Sequence, residues 1–160
     1  VRTALCPGSY DPIHNGHLEV IEPATKLFER VVVAVIRNPG KTKPMFSLEE
    51  RKEMVLESTT QFDNVEVVAM TKLTVDVAKD VGAGWIVRGL RVASDFEWEL
   101  QMAQMNEAIS GVETIFVPCA STSSFIASSL IRDIAAIGGA ERVGTMVPEP
   151  VAKRLLEKFA

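Results

Sequence analysis

The chain has 160 residues, 47% of them hydrophobic and 24% charged, which suits one domain (1–160) with a sizeable core and excludes extended disorder. Its net charge of −4, from 17 basic and 21 acidic residues, disfavours a nonspecific nucleic-acid binder, so any anionic ligand must meet a local basic cluster. Two cysteines, Cys6 and Cys119, form neither a disulfide framework nor a metal-type spacing, and no run nears the roughly 18 apolar residues that span a bilayer. The expectation is a cytoplasmic protein without a signal peptide or membrane partner.

Strand-like runs occur in chain order at residues 3–6, 31–36, 65–69, 84–88 and 113–117, with helical patterns between them. The first is followed by Pro7-Gly8-Ser9-Tyr10-Asp11-Pro12-Ile13-His14-Asn15-Gly16-His17, two glycines, a serine and two histidines where a strand hands over to a helix. Free backbone N–H groups and the positive end of the helix dipole make that junction a phosphate site. His17 falls in the first helical turn, aimed at a bound anion. Pro23, about two turns further, is expected to kink or shorten this helix.

The second run leads into Arg37-Asn38-Pro39-Gly40-Lys41-Thr42-Lys43-Pro44-Met45-Phe46, a loop that opens onto the same edge. Ser47 with Glu50 and Ser94 with Glu97 each fit a capping box, placing helix starts near residues 48 and 95. Gly82, Gly111 and the Gly138-Gly139 pair supply helix stops. The fourth run ends in Arg88-Gly89-Leu90-Arg91, two arginines around a glycine, which suits bidentate phosphate binding or, equally, a salt-bridged loop beside an acidic helix. Near a late helix start lie Ser124, Phe125, Ile126, Ser128 and Ser129, whose hydroxyls suit either phosphate contacts or an N-cap.

β-branched runs alternating with helices imply an α/β fold: a doubly wound, Rossmann-like, five-stranded parallel sheet of order 3-2-1-4-5. Ligands of such folds sit at the carboxyl ends of strands where the order reverses. The loops at 7–17 and 88–95 would be neighbours at that point.

The His-x-Gly-His stretch resembles the nucleotidyltransferase superfamily signature. With Lys43–Arg51, Arg88–Arg91, the Asp95–Asn106 helix, Ser124–Leu130 and Val147–Val151, the chain is similar, from residue 3 to about 158, to the bacterial phosphopantetheine adenylyltransferases. The resemblance implies transfer of the adenylyl group of ATP to 4′-phosphopantetheine by direct in-line attack, giving dephospho-coenzyme A and pyrophosphate. It puts Ser9, His17, Lys41 and Arg91 in catalytic roles. ATP would be contacted by Ser9, Tyr10, His17, Gly89, Arg91, Glu99, Ser124, Phe125, Ile126, Ser128 and Ser129. Ser9, Lys41, Leu73, Thr74, Arg88 and Asn106 would hold phosphopantetheine. It further implies Mg²⁺ carried with ATP, no protein metal site, a homohexamer and feedback by coenzyme A. Ser9, Tyr10, Trp98, Thr74 and Ala127 depart from the residues usual in the family.

Within the superfamily, a transferase using nicotinamide mononucleotide or glycerol phosphate as acceptor shares the first motif; Lys41, Arg88 and Asn106 favour phosphopantetheine. A noncatalytic nucleotide sensor on the same fold would bind ATP without releasing pyrophosphate.

Overall fold

A computed structural model describes residues 1–37, 43–120 and 122–160. Five parallel strands, β1 (Thr3–Gly8), β2 (Arg30–Ile36), β3 (Val65–Met70), β4 (Trp85–Leu90) and β5 (Glu113–Pro118), form one sheet of order β3-β2-β1-β4-β5. They alternate with helices α1 (Asn15–Leu27), α2 (Leu48–Ser58), α3 (Thr74–Val81) and α4 (Ala93–Ser110). After β5 come α5 (Ser128–Ile134), a wide turn at Ala135–Gly139, a short 3-10 turn at Gly144–Met146, and α6 (Glu149–Phe159).

The unbroken apolar run of β2, Val31 to Ile36, is explained by burial on both faces. Ala4, Cys6, Val31, Val33 and Val35 point to one side, against Val20, Ile21 and Ala24 of α1, Met54 and Val55 of α2, Ile131 of α5, and Val151 and Leu155 of α6. Leu5, Val32, Ala34 and Ile86 point to the other, where Val77 and Ala78 of α3 cover them. α4 lies against β4 and β5 without burying any of its 18 residues. Among the described residues no helix is long and apolar enough to cross a membrane.

Several local expectations hold and others are corrected. Ser47 caps α2 through a reciprocal pair of hydrogen bonds with Glu50, and Gly82 and Gly111 end α3 and α4 at φ 73° and 74°. Ser94 does not cap α4. That helix begins earlier, with Val92 as its flanking residue, because the Asp95 carboxylate accepts the Arg91 backbone N–H at 3.3 Å and pairs with the Arg91 guanidinium at 3.5 Å. Neither Ser128 nor Ser129 caps α5, since Ala127 holds that position. α1 is not shortened by Pro23 and runs on to Leu27, as Ile21 and Ala24 on either side of the proline are locked in the core. Finally, Pro7-Gly8 and Gly89-Leu90, expected just beyond their strands, are still strand: β1 pairs with β2 through Gly8 and β4 with β5 through Leu90.

Candidate active site

Strands β1 and β4 are in register only at Ala4 with Trp85 and Leu5 with Ile86. Beyond those pairs the two strands part, and they are the strands between which the sheet order reverses. A crevice at such a switch point is the expected ligand position in this fold class. The Arg88 side chain bridges the gap, its Nη1 donating to the Pro7 carbonyl at 3.0 Å.

From Pro7 the chain turns through Tyr10, at φ 47°, and a cis Asp11–Pro12 bond into α1. Its carbonyls are held from behind. Arg51 Nη1 donates to the Ser9 carbonyl at 2.8 Å, Arg132 Nη1 to that of Asp11 at 2.8 Å, and Ser128 Oγ to that of Pro12 at 2.9 Å. In a trans peptide the N–H points opposite to the carbonyl, so gripping the Ser9 oxygen turns the Tyr10 N–H the other way. Tyr10 itself is buried, its hydroxyl donating to the Cys6 carbonyl at 2.9 Å.

The histidines form an unusual cap. His14 Nδ1 accepts the Gly16 N–H at 3.1 Å, and His17 Nδ1 accepts the His14 N–H at 3.0 Å. The rings stack at 3.7 Å, with the Tyr10 ring edge-on to His17 at 4.8 Å. Because each Nδ1 is an acceptor, each proton sits on Nε2. His17 therefore presents a fixed N–H donor. Burial, His14, Arg88 and Arg91 hold the His17 pKa well below the ordinary imidazole range. Burial and Arg91 push His14 down to about 4.

Neutral histidines have a measurable consequence. An unfolded chain takes up these protons near pH ~6.5, the folded one only at lower pH, so the unfolded state binds more protons in between. Stability should be independent of these groups above about pH 7 and fall with acidification by up to about 1.4 kcal/mol per pH unit per histidine, down to about 4 for His14. Urea unfolding between pH 7.5 and 4.5 measures the slope. His14→Thr, which keeps a capping acceptor, should flatten it.

On the other wall Arg88 Nε and Nη2 donate to the two Glu99 carboxylate oxygens at 3.0 and 2.8 Å. Arg91 donates to the Ile126 carbonyl at 3.2 Å. Glu99 thus faces Arg88 across β4 and α4, and Arg91 ties β4 to the segment carrying Ser124, Phe125 and Ile126. Gly89 lets α1 approach β4: a Cβ there would lie 2.5 Å from Val20 Cγ2 and 3.2 Å from Cys119 Sγ. Because Val20 is β-branched and buried, Gly89→Ala should destabilise the fold by about 1–3 kcal/mol, read as a lower urea midpoint at unchanged m-value.

The structure thus gathers Ser9, Tyr10, His17, Arg88, Gly89, Arg91, Glu99, Ile126 and Ser128 around the crevice. Ser129 follows on α5 with its side chain exposed, and Phe125 is 59% exposed. Leu73 and Thr74 stand at the start of α3, beyond the carboxyl end of the outer strand β3, and Asn106 lies half-buried on α4. Lys41 and Ser121 lie outside the described residues. Sequence reasoning missed Asp11, Arg51, Arg132 and Glu19; the last accepts hydrogen bonds from the Ala120 N–H at 3.2 Å and from Ser123 Oγ, joining α1 to the loop after β5. Arg51 falls on the face of α2 that carries Met54 and Val55, so an amphipathic reading of the helix reaches its position but not its partner.

The profile of the cytidylyltransferase-like family matches residues 5–134. A phosphopantetheine adenylyltransferase of Gloeobacter violaceus is 50% identical over 158 residues, covering 98% of this chain and 96% of the relative. The chain belongs to the phosphopantetheine adenylyltransferase family. Two solved structures share the fold. One is a putative nicotinate-nucleotide adenylyltransferase from Vibrio parahaemolyticus, with TM-score 0.66 at 18% identity, covering 97% of this chain and 98% of that one. The other is a bifunctional NMN adenylyltransferase/ADP ribose pyrophosphatase from Francisella tularensis, with TM-score 0.62 at 20% identity, covering 86% of this chain and 42% of that one. Membership in the phosphopantetheine adenylyltransferase family makes the protein a nucleotidyltransferase, and the crevice between β1 and β4 is its candidate active site.

Proposed function

We propose that the protein transfers the adenylyl group of ATP to 4′-phosphopantetheine, giving dephospho-coenzyme A and pyrophosphate in coenzyme A synthesis. The family assignment supports the reaction, and the observation that carries the site is the fixed His17 Nε2–H donor at the switch point, backed by arginine-held carbonyls.

The acceptor phosphate, with a second pKa of about 6, is largely dianionic at neutral pH and needs no general base. Its oxygen attacks the α-phosphorus in line, and the bond to the β-phosphate oxygen breaks, with pyrophosphate carrying away the electron pair. Positioning and electrostatic stabilisation supply the acceleration. In this reading His17 donates to an α-phosphate oxygen as negative charge builds there, with Ser9 and the Tyr10 N–H beside it. Arg91, Ser128 and Ser129 line the triphosphate, with Glu99 at the wall. Gly89 and residues 124–126 flank the nucleoside. Lys41 and Arg88 take the acceptor phosphate, while Leu73, Thr74 and Asn106 line its pantetheine arm.

Among the described residues no three His, Cys, Asp or Glu side chains converge. Mg²⁺ bound to the triphosphate would neutralise phosphate charge there.

Assembly as a homohexamer belongs to the same proposal, and α4 supports association. Trp98, Met105 and Ile109 are 63%, 59% and 61% exposed on it, a share of apolar surface that isolated helices seldom show to water. A hexamer mass by light scattering is the expected result and a monomer overturns it. Coenzyme A, which contains the acceptor's arm, is proposed as a feedback ligand, and the cytoplasm as the location, where the free thiols Cys6 and Cys119 stay reduced.

The reverse reaction tests the whole reading: ATP formed from dephospho-coenzyme A, pyrophosphate and Mg²⁺, run beside nicotinamide adenine dinucleotide. ATP from dephospho-coenzyme A alone is expected. ATP only from the dinucleotide would transfer the acceptor to nicotinamide mononucleotide, and ATP binding with no formation from either would make the protein a sensor or another transferase.

A further inference from the structure

We propose that Asp11 is a positioning residue that joins the acceptor side of the site to the triphosphate side, an inference that rests on the adenylyl-transfer reading above. Asp11 is 5% exposed. One of its carboxylate oxygens accepts the Met45 N–H at 2.9 Å and the other the Phe46 N–H at 2.9 Å. Its own carbonyl accepts from Arg132 at 2.8 Å, and the same guanidinium lies 4.0 Å from its carboxylate. Arg132 stands one turn after Ser128 on α5, and Ser128 in turn grips the next carbonyl, that of Pro12, at 2.9 Å.

One residue therefore fixes three things relative to each other, its side chain holding Met45 and Phe46 and its main-chain oxygen holding Arg132. Met45 and Phe46 follow Lys41 closely in sequence and lead into α2. The signature turn leads into His17, and α5 carries the serines proposed for the triphosphate. Two backbone N–H groups from adjacent residues, each on its own oxygen, make a bidentate latch whose geometry only a short carboxylate satisfies. Asparagine offers one acceptor oxygen and would set an NH₂ group against the other N–H. Glutamate keeps the charge but moves it by one methylene. A residue that only balanced the buried charges of Arg51 and Arg132 would tolerate glutamate.

The geometry also sets the order of effects. Met45 and Phe46 bind the side chain, which every substitution changes, whereas Arg132 binds the main-chain oxygen, which every substitution keeps. The acceptor side should suffer first, and communication between the two substrates with it.

The test uses the full-length chain with D11N, D11E and R132K. Steady-state kinetics give kcat and both KM values, thermal unfolding gives Tm, and calorimetry gives the affinity for α,β-methylene-ATP with and without 4′-phosphopantetheine. For D11N and D11E the expected result is a KM for 4′-phosphopantetheine raised about tenfold, a smaller change in the KM for ATP, and a loss of the coupling between the two ligands. R132K, which replaces the fork by a point donor, should reduce the coupling while leaving the acceptor KM closer to wild type. Lower Tm with kcat, both KM values and coupling unchanged would overturn the inference, as would D11E behaving as wild type. Should D11N fail to fold, D11E and R132K still decide it. An active wild type with unaltered variants refutes the role of Asp11 alone; a wild type that makes no dephospho-coenzyme A refutes the functional reading and this inference together.

Discussion

Replacing His17 by alanine is expected to lower kcat by about 10²–10³ while the KM for ATP changes by a smaller factor. The asymmetry follows from how the ring is held. Its Nδ1 is occupied by the His14 N–H, so the imidazole can neither rotate nor swap tautomers without losing that bond, and the Nε2–H is held in one direction. Such a donor matters most when charge on the α-phosphate is greatest, in the transition state, and less in the ground state where the triphosphate has other partners. His17→Gln, whose amide N–H reaches close to the Nε2 position, should recover part of the loss. Because burial and two arginines keep His17 neutral, kcat should not show its titration between pH 6 and 8. An acid limb in that window, with kcat falling as the pH drops and the dependence abolished in His17→Gln, would instead make His17 a proton acceptor and refute the donor role.

Much of the scaffold was legible because its signals are local and repeated. The run Val31 to Ile36 can hardly be anything but a buried strand, and Gly82 and Gly111 sit where helices reach the left-handed region. Two identical Ser-x-x-Glu spacings then gave opposite outcomes. At Ser47 nothing competes with the cap; before Ser94, Asp95 takes the Arg91 N–H and starts the helix earlier. Pro23 does not shorten α1 for the opposite reason, since its local penalty is outweighed by packing of Ile21 and Ala24. The signature loop announced itself, but its supports did not. Arg51 and Arg132 act on main-chain oxygens, which every residue possesses, so no pairing of side-chain types along the sequence reveals them. The Arg88–Glu99 pair belongs between these cases: both residues were singled out, for different substrates, and only folding shows that they hold each other.

That pair sets the second large effect. Arg88→Ala is expected to lower kcat/KM for 4′-phosphopantetheine by about 10²–10³, equivalent to roughly 3–4 kcal/mol, mainly through KM. Three N–H groups of Arg88 are engaged, two by Glu99 and one by the Pro7 carbonyl, which leaves two of the five a guanidinium owns to meet an incoming phosphate. Glu99 thereby acts as a bracket: it fixes the plane of the fork and keeps its charge pointing into the gap between β1 and β4. Removing Arg88 does more than subtract a donor. The Glu99 carboxylate, with its side chain only 14% exposed, is left without its counter-charge beside the site proposed for the acceptor dianion, so the deficit would contain repulsion as well as lost attraction. Glu99→Gln separates the two contributions. It frees Arg88 from its partner but leaves the cation, so acceptor KM should change far less than in Arg88→Ala, and Arg88→Ala/Glu99→Gln should bind acceptor better than Arg88→Ala alone. If Arg88 were only the tie between β4 and α4, both single variants would lower Tm similarly and leave the acceptor KM alone, and that result would remove Arg88 from the binding site.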